Sequence, residues 1–343
     1  MNRIPGLKSS TLLATVVSCA LGLGPMSAVR ADEKTDSAPL EIIVPWGVGG
    51  GADRLAQESG KLFQSALNTA FKITHIPGKT GYLGMEKLFE SPSDGRLLSV
   101  LTAETYCLLA YANPGWKPSD MVPLAIMMRQ SSALFLPTAG RFKNWQEFEK
   151  EARQKPRSLR VAISGFGSPD YLTLQQLYMK GIQLVPVSFE NPEQRYQAVL
   201  NGQADALYEQ PADVIALIES KQLLTALFFT PARLPDYKEV PASGEFGYSN
   251  GLPQFRAIVA RAGTDPAKLK SLAQALERIA GTPEYKGFLK QQLATDDSFI
   301  PAKSALAFMQ NELKDMQQIV DTLPLHARHL WDGQVAEAYV EQF

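Results

Sequence analysis

At 343 residues, 45% of them apolar and 20% charged, the chain is long enough for two domains of ordinary size and too apolar to be disordered. Lys and Arg number 34 against 35 Asp and Glu, a formal charge of −1. That balance excludes a surface built for nucleic acid.

Residues 1–31 read as a secretory leader. Arg3 and Lys8 give a positive start, Thr11–Leu23 is apolar and uncharged, and Val29-Arg30-Ala31 places compact residues at −3 and −1 of a cleavage site after Ala31. The apolar run is too short and glycine-broken for a membrane span, so a periplasmic mature protein is expected. Val16-Val17-Ser18-Cys19 has the form of a lipoprotein signal box, which would instead leave Cys19 as a lipidated N-terminus; the apolar segment running on past Cys19 argues against it. Without the leader and its three basic residues, 31 Lys and Arg face 35 Asp and Glu, and Cys107 is the single thiol. No internal disulfide is then possible, and Cys107 is expected as a small buried apolar residue rather than a nucleophile.

The mature chain opens with the apolar run Leu40–Val44, closed by Pro45, and the glycine-dense Trp46–Gly51. From Asp53 the apolar residues Leu55, Ala56, Leu62, Phe63, Ala66 and Leu67 recur on one helical face. This is strand, glycine turn, helix. The glycines let the backbone approach a ligand closely, and the helix start behind them offers unpaired N–H groups and partial positive charge, so an anion is the expected guest. A strand at Phe71–His75, the loop Ile76–Gly84 and a short helix ending near Phe89 follow. Leu97–Leu101 is a strand whose exit, Thr102–Thr105, leads into an apolar helix around Tyr106–Tyr111. Val122–Met128 and Ala133–Leu136 are extended, and the Arg129–Ser132 junction between them reads as a first crossing between domains.

A second series begins with a helix at Trp145–Arg153, a strand at Leu159–Ile163, the glycine turn Ser164–Asp170 and a helix through Leu172 to Tyr178. Strands at Gln183–Val187 and Ala204–Tyr208 flank a helix at Glu193–Leu200, and Val214–Glu219 is a further helix. Leu224–Phe229 reads as the return crossing; a strand at Phe255–Ala260 is then followed only by helices, at Pro266–Ile279, Pro283–Leu293 and Ala302–Leu323. The alternation predicts an α/β protein with mainly parallel sheets and helices on both faces. Lobe I comprises residues 32–130 and 229–343, and lobe II residues 131–228. Ligands in such sheets bind at the carboxyl ends of the strands, where both glycine turns lie. Two lobes with two crossings behind a leader are the build of a periplasmic ligand receptor that closes on a hinge.

Specific residues carry a family resemblance. Ile43–Trp46 with Gly49–Asp53, the loop Pro77–Gly84, Pro92–Gly95, Gly165–Pro169 and Asn201–Asp205 stand in the order found in the tripartite tricarboxylate transporter receptors, or Bug receptors. Arg233–Asp236, Val240-Pro241, Glu245 and Gly247-Tyr248 are similar as well. The chain resembles that family over essentially its whole mature length. The resemblance implies a type II periplasmic binding fold, a monomer without cofactor, that captures a small organic acid and delivers it to integral membrane permease subunits. It also implies that backbone groups and waters of the loops matching Trp46–Asp53, Pro77–Gly84 and Ser164–Ser168 hold the carboxylate. The chain departs from the family pattern at Lys79-Thr80-Gly81 (usually Ala-Gly-Gly), at Tyr171 (usually His) and at Val187–Asn191 (usually containing Pro-Tyr-Lys-Gly). Those departures bear on which acid is bound and leave the binding role standing.

The candidate ligand-binding residues are Trp46, Gly49, Gly50, Gly51 and Asp53 in the first loop, and Lys79, Thr80, Gly81 and Tyr82 in the second. Ser164, Phe166, Gly167 and Ser168 at the lobe II turn join them, with Glu104, Glu190, Tyr208 and Glu209 after strands. Each has a plainer reading. Asp53 caps its helix, Lys79 is a solvated loop lysine, and the three glutamates are surface residues. Trp46, Tyr82, Phe166 and Tyr208 either line a slot for a planar ligand or pack beneath the loops. Ser168, beside Gly167 at a helix start, is the strongest carboxylate candidate.

Competing chemistries fit poorly. Gly47, Gly49 and Ala52 satisfy a dinucleotide-binding pattern, but the second strand runs into His75-Ile76-Pro77 without the acid that would hold a ribose. Gly78-Lys79-Thr80 resembles the end of a phosphate loop, but Ile73 stands where its leading glycine is required. Gly-Phe-Gly-Ser-Pro around Ser168 is not a nucleophile elbow. His326 and His329 have helical spacing but no third zinc ligand near them. An enzyme is therefore not expected. A receptor that presents its ligand to a membrane sensor kinase, and a hydrolase or transferase on the same scaffold, are the alternatives.

Overall fold

The computed structural model describes residues 39–111, 115–248, 251–252, 254–295 and 297–324. The leader, the lipoprotein box and the His326–His329 pair lie outside them. Among the described residues no helix is long and apolar enough to cross a membrane.

The first sheet has the order β11-β4-β10-β3-β1-β2, built from β1 (Leu40–Val44), β2 (Phe71–His75), β3 (Leu97–Thr102), β4 (Met121–Gln130), β10 (Gln254–Arg261) and β11 (Ile300–Pro301). β1 pairs parallel with β2 and β3, while β10 runs antiparallel to both β3 and β4, and β11 antiparallel to β4. Thus β1 to β4 share one direction. The second sheet, β7-β6-β8-β5-β9, is built from β5 (Ala133–Pro137), β6 (Arg160–Ile163), β7 (Val185–Ser188), β8 (Ala206–Glu209) and β9 (Leu223–Phe228). Here β5 is antiparallel to β8 and β9, and β6 is parallel to β7 and β8, so β6 to β9 share one direction. Four of the six strands of the first sheet and four of the five of the second thus share one direction, so both sheets are mainly parallel. The reversed strands β5 and β10 follow the passages between sheets, after Gln130 and after Phe228. The two-residue β11 corrects the expectation that only helices follow β10: Ile300 and Pro301 pair with Ile126 and Ala125.

The strand period of two divides each sheet into two faces. Leu40, Ile42 and Val44 pack with Leu55, Ala56 and Phe63 of α1 (Gly51–Leu67) and Leu272 and Leu276 of α8 (Pro266–Ala280). On the other face, Ile43, Ala257 and Val259 pack with Met85 of α2 (Tyr82–Glu90), Tyr106 of α3 (Ala103–Tyr111) and Met309 and Met316 of α10 (Ala302–Thr322). The second sheet repeats the arrangement. Leu134, Val161 and Tyr208 meet Trp145 and Phe148 of α4 (Trp145–Gln154) and Leu174 of α5 (Pro169–Met179). Phe135, Ala162 and Leu207 meet Tyr196 and Val199 of α6 (Pro192–Leu200). Two short helices, α7 (Ile215–Glu219) and α9 (Pro283–Gln291), complete the set. Cys107 is fully buried in the first core, where burial pushes its thiol well up, the state of an inert packing residue.

Candidate functional site

A cavity lies where the carboxyl ends of β1, β3, β6 and β8 face one another across the two sheets. Its walls enclose about 360 Å³ between atoms, but at its heart the free volume is about 30 Å³. That is room for about two waters. The first sheet contributes Trp46, Gly50, Gly51, Ala52, Thr102 and Glu104, and the second Ser164, Pro192, Arg195, Glu209, Gln210 and Asp213. Arg256 completes the wall: because β10 runs antiparallel, its early residues lie opposite the end of β3, Arg256 against Thr102.

The two glycine turns are built differently. In the first, Gly50 is the N-cap of α1 and has no side chain to cap with, so the opening N–H groups of the helix face the cavity through Gly51 and Ala52. Gly51 is required for space: a Cβ there would lie 2.3 Å from Arg256 Nη2 and 2.7 Å from Asp213 Oδ2. Asp53 does not reach the cavity. Its Oδ2 accepts from Gly49 N at 2.9 Å and Gln57 Nε2 at 3.0 Å, and its Oδ1 lies 2.7 Å from His75 Nε2. Burial alone would raise its pKa, but the Gly49 N–H, His75 and Gln57 together hold it below the ordinary value. Asp53 thus ties down the glycine loop.

In the second turn the chain supplies its own carboxyl group. Ser164 N and Oγ donate to Asp170 Oδ2 at 2.9 and 2.6 Å. Ser168 is fully buried; its Oγ accepts from Tyr171 N at 3.3 Å as the N-cap of α5 and donates to Gly165 O at 2.7 Å. Both bonds of the Ser168 hydroxyl therefore lie within the turn. Gly167 has φ +77°, a conformation that favours glycine, and a Cβ would meet Leu108 at 3.2 Å. Its constraint is conformational, not an approach to a ligand.

Other expected residues are dispersed as well. Thr80 bridges the two sheets' loops, its N–H donating to Glu190 Oε1 at 2.7 Å and its Oγ1 to Phe166 O at 3.1 Å. Gly81 caps α2 at φ 82°, and Lys79 lies over the Tyr82 ring, 5.7 Å from its centroid. Tyr208 stacks on Phe229 at 5.0 Å and Phe166 meets Tyr171 edge-on at 5.7 Å. No four-ring slot forms, because only Trp46 borders the cavity, its Nε1 donating to Thr102 Oγ1 at 3.1 Å. Of the expected residues, Trp46, Gly50, Gly51, Glu104, Ser164 and Glu209 line the cavity; Gly49, Asp53, Lys79, Thr80, Gly81, Tyr82, Phe166, Gly167, Ser168, Glu190 and Tyr208 do not. Glu104 belongs to the first turn of α3, which starts at Ala103 rather than beyond Thr105.

The charges that dominate the site include several that sequence reasoning missed. Asp213 joins the sheets: Oδ1 pairs with Arg54, and Oδ2 accepts from Arg256 Nη2 at 3.0 Å. Arg256 Nη2 also reaches Gln210 Oε1 at 3.1 Å, and its Nη1 donates to Gln130. Glu209 Oε2 takes Arg195 Nε at 3.2 Å and the Tyr196 hydroxyl at 3.2 Å, and Arg195 Nη1 donates to Phe189 O at 2.7 Å. Arg256 had a signal in the sequence, since a charge within an apolar strand needs a buried partner. Asp213 and Arg195 had none. Burial, reinforced by the charge of Glu209 and opposed by Arg256 and Thr102, pushes the Glu104 carboxyl up. Burial and the charge of Glu104 raise Asp170 to about 7 against its Ser164 bonds. Among the described residues no group of three or more His, Cys, Asp or Glu is placed to hold a metal ion.

The two mixed sheets with a charged cavity at their strand ends define a solute-binding protein of the periplasmic class. Residues 59–325 match the family described as tripartite tricarboxylate transporter family receptor (TctC), and the chain belongs to that family. A relative from Cupriavidus necator, described as the UPF0065 protein in gbd 5'region, is 23% identical over 90% of this chain and 94% of its own length. Among solved structures, MatC from Rhodopseudomonas palustris with bound malate matches with a TM-score of 0.74 and 20% identity, over 82% of this chain and 98% of that one. Rpa4515 of the same organism, with adipate, matches with a TM-score of 0.76 and 19% identity, over 83% and 96%. The family and fold are those of substrate-binding proteins.

Proposed function

We propose that the protein is a periplasmic receptor that captures a small organic carboxylate between its two sheets and delivers it to a membrane permease. The carrying observation is the uncapped start of α1: the Gly51–Ala52 backbone borders the cavity beside Arg256, an array of N–H donors and positive charge. The protein's own Asp213 carboxylate already lies against it, between Arg54 and Arg256. What the site does to Asp213 it would do to a ligand's carboxylate. Malate and adipate in structural relatives support the same chemistry.

The small free volume and the contacts joining the sheets, Asp213 to Arg54 and Arg256 and Thr80 to Glu190, imply that the lobes part to admit a ligand and close again. A thermal-shift screen of small organic acids tests the reading. A ligand at a hundredfold excess over Kd stabilises the folded state by about 2.7 kcal/mol. For a chain of this size that raises the midpoint by about 4 °C. Hits are expected among carboxylates, with their methyl esters silent. Equal shifts from acid and ester would overturn it.

A further inference from the structure

One carboxylate at the cavity stands outside the ion pairs found among the described residues. Arg195 is bound to Glu209, and Arg54 and Arg256 to Asp213. Glu104 has no cation within ion-pair distance among the described residues; it is 9% exposed, borders the cavity, and is neighboured by the Thr102 hydroxyl. Behind Ser164, on the same side, Asp170 is 3% exposed and bonded only by uncharged groups, Ser164 and Gln254. Gln254 gives its Nε2 to Asp170 Oδ1 at 3.4 Å and leaves its buried Oε1 without a donor. The cavity wall thus presents a buried carboxylate whose bonds come from uncharged groups, the Thr102 hydroxyl and its own backbone N–H. A buried acid persists in its ionised form only where a positive partner arrives.

We propose that the ligand is a zwitterion, whose carboxylate meets the start of α1 and whose protonated nitrogen is held by Glu104, the residue that sets this specificity. The inference rests on the carboxylate-receptor reading above. The groups acting on Glu104 are Arg256 from β10, Glu209 from β8, Asp170 from α5 and Cys107 of its own helix. Only Arg256 is positive, and it is ion-paired with Asp213, which Arg54 also holds. An arriving ammonium would therefore ionise Glu104 and release protons. A second ligand carboxylate arriving there would instead require Glu104 to stay protonated.

Calorimetry on the full mature protein with matched pairs tests this: β-alanine and propionate, 4-aminobutyrate and butyrate, aspartate and succinate. At least one amino compound should bind ten times more tightly than its deaminated partner, with affinity rising from pH 5 to pH 8. Glu104→Gln should remove most of that preference. Deaminated acids that bind as well throughout, no amino compound binding at all, or affinity falling as pH rises would each overturn the zwitterion inference; the last two need no variant. The methyl ester of the best amino compound separates the two readings. If the ester binds as tightly as the free amino acid, the carboxylate reading fails; if the deaminated acid does, only the zwitterion fails.

Discussion

The turns at Trp46–Asp53 and Ser164–Asp170 read alike as strand, glycine-rich turn and helix, yet they meet opposite fates. The first leaves its helix start uncapped and opens it to the cavity. The second closes on itself, with Ser168 capping α5 and Asp170 taking the Ser164 N–H and hydroxyl. A side-chain oxygen within reach of the helix start decides whether a turn can accept an outside anion. Gly50 has none, and Ser168 supplies one.

The largest expected effect on binding comes from filling the open turn. Gly51→Val would drive a branched side chain into the Arg256–Asp213 pair, where even a Cβ falls at 2.3 Å from Nη2. Overpacking of this kind costs about 3 kcal/mol, and no carboxylate hit of the parent should survive in a titration of the folded variant. Gly51→Val that binds as the parent does would show that the ligand sits elsewhere.

Next comes a pH effect from the closed turn. Folding raises Asp170 from the ordinary carboxylate value of 3.8 to about 7, so between those values the folded state keeps a proton that the unfolded chain releases. Stability should therefore fall as pH rises from about 4 to about 7, by about 4 kcal/mol at most, and level off above. Denaturant melts across that range should show the slope, and Asp170→Asn should flatten it.

Converting the open turn into a copy of the closed one is a sharper comparison with a smaller effect. Gly50→Asp would place a capping carboxylate at the start of α1, and the backbone there, φ −80°, accepts any residue. Pro192 must yield slightly, since a Cβ would approach its Cγ to 3.0 Å. Affinity for a carboxylate should drop about tenfold, or about 1.4 kcal/mol, because the new side chain competes for the same N–H groups. Smallest is Ser168→Ala, which removes the α5 cap and should cost about 1 kcal/mol in stability with ligand affinity unchanged. A tenfold loss of affinity in Ser168→Ala would return that residue to the ligand.

The sequence by itself determined the elements and their layering. Continuous apolar runs such as Ile42, Ile43 and Val44 read as strands buried on both faces, and glycine, proline and asparagine marked most ends to within two residues. That a cavity would lie at the strand ends was also legible, because ligands of mainly parallel sheets bind there. What only the tertiary structure decided was the reversal of β5 and β10 and the partners of the charges. Arg256 meets Asp213 across 43 residues and Arg54 meets it across 159, separations at which no periodicity or motif carries information. The same limit explains Ser168 and Asp170: a serine or an aspartate at a helix start has the same local sequence whether it caps its own backbone or faces a ligand. Which one occurs depends on the side chains brought against it by the rest of the fold.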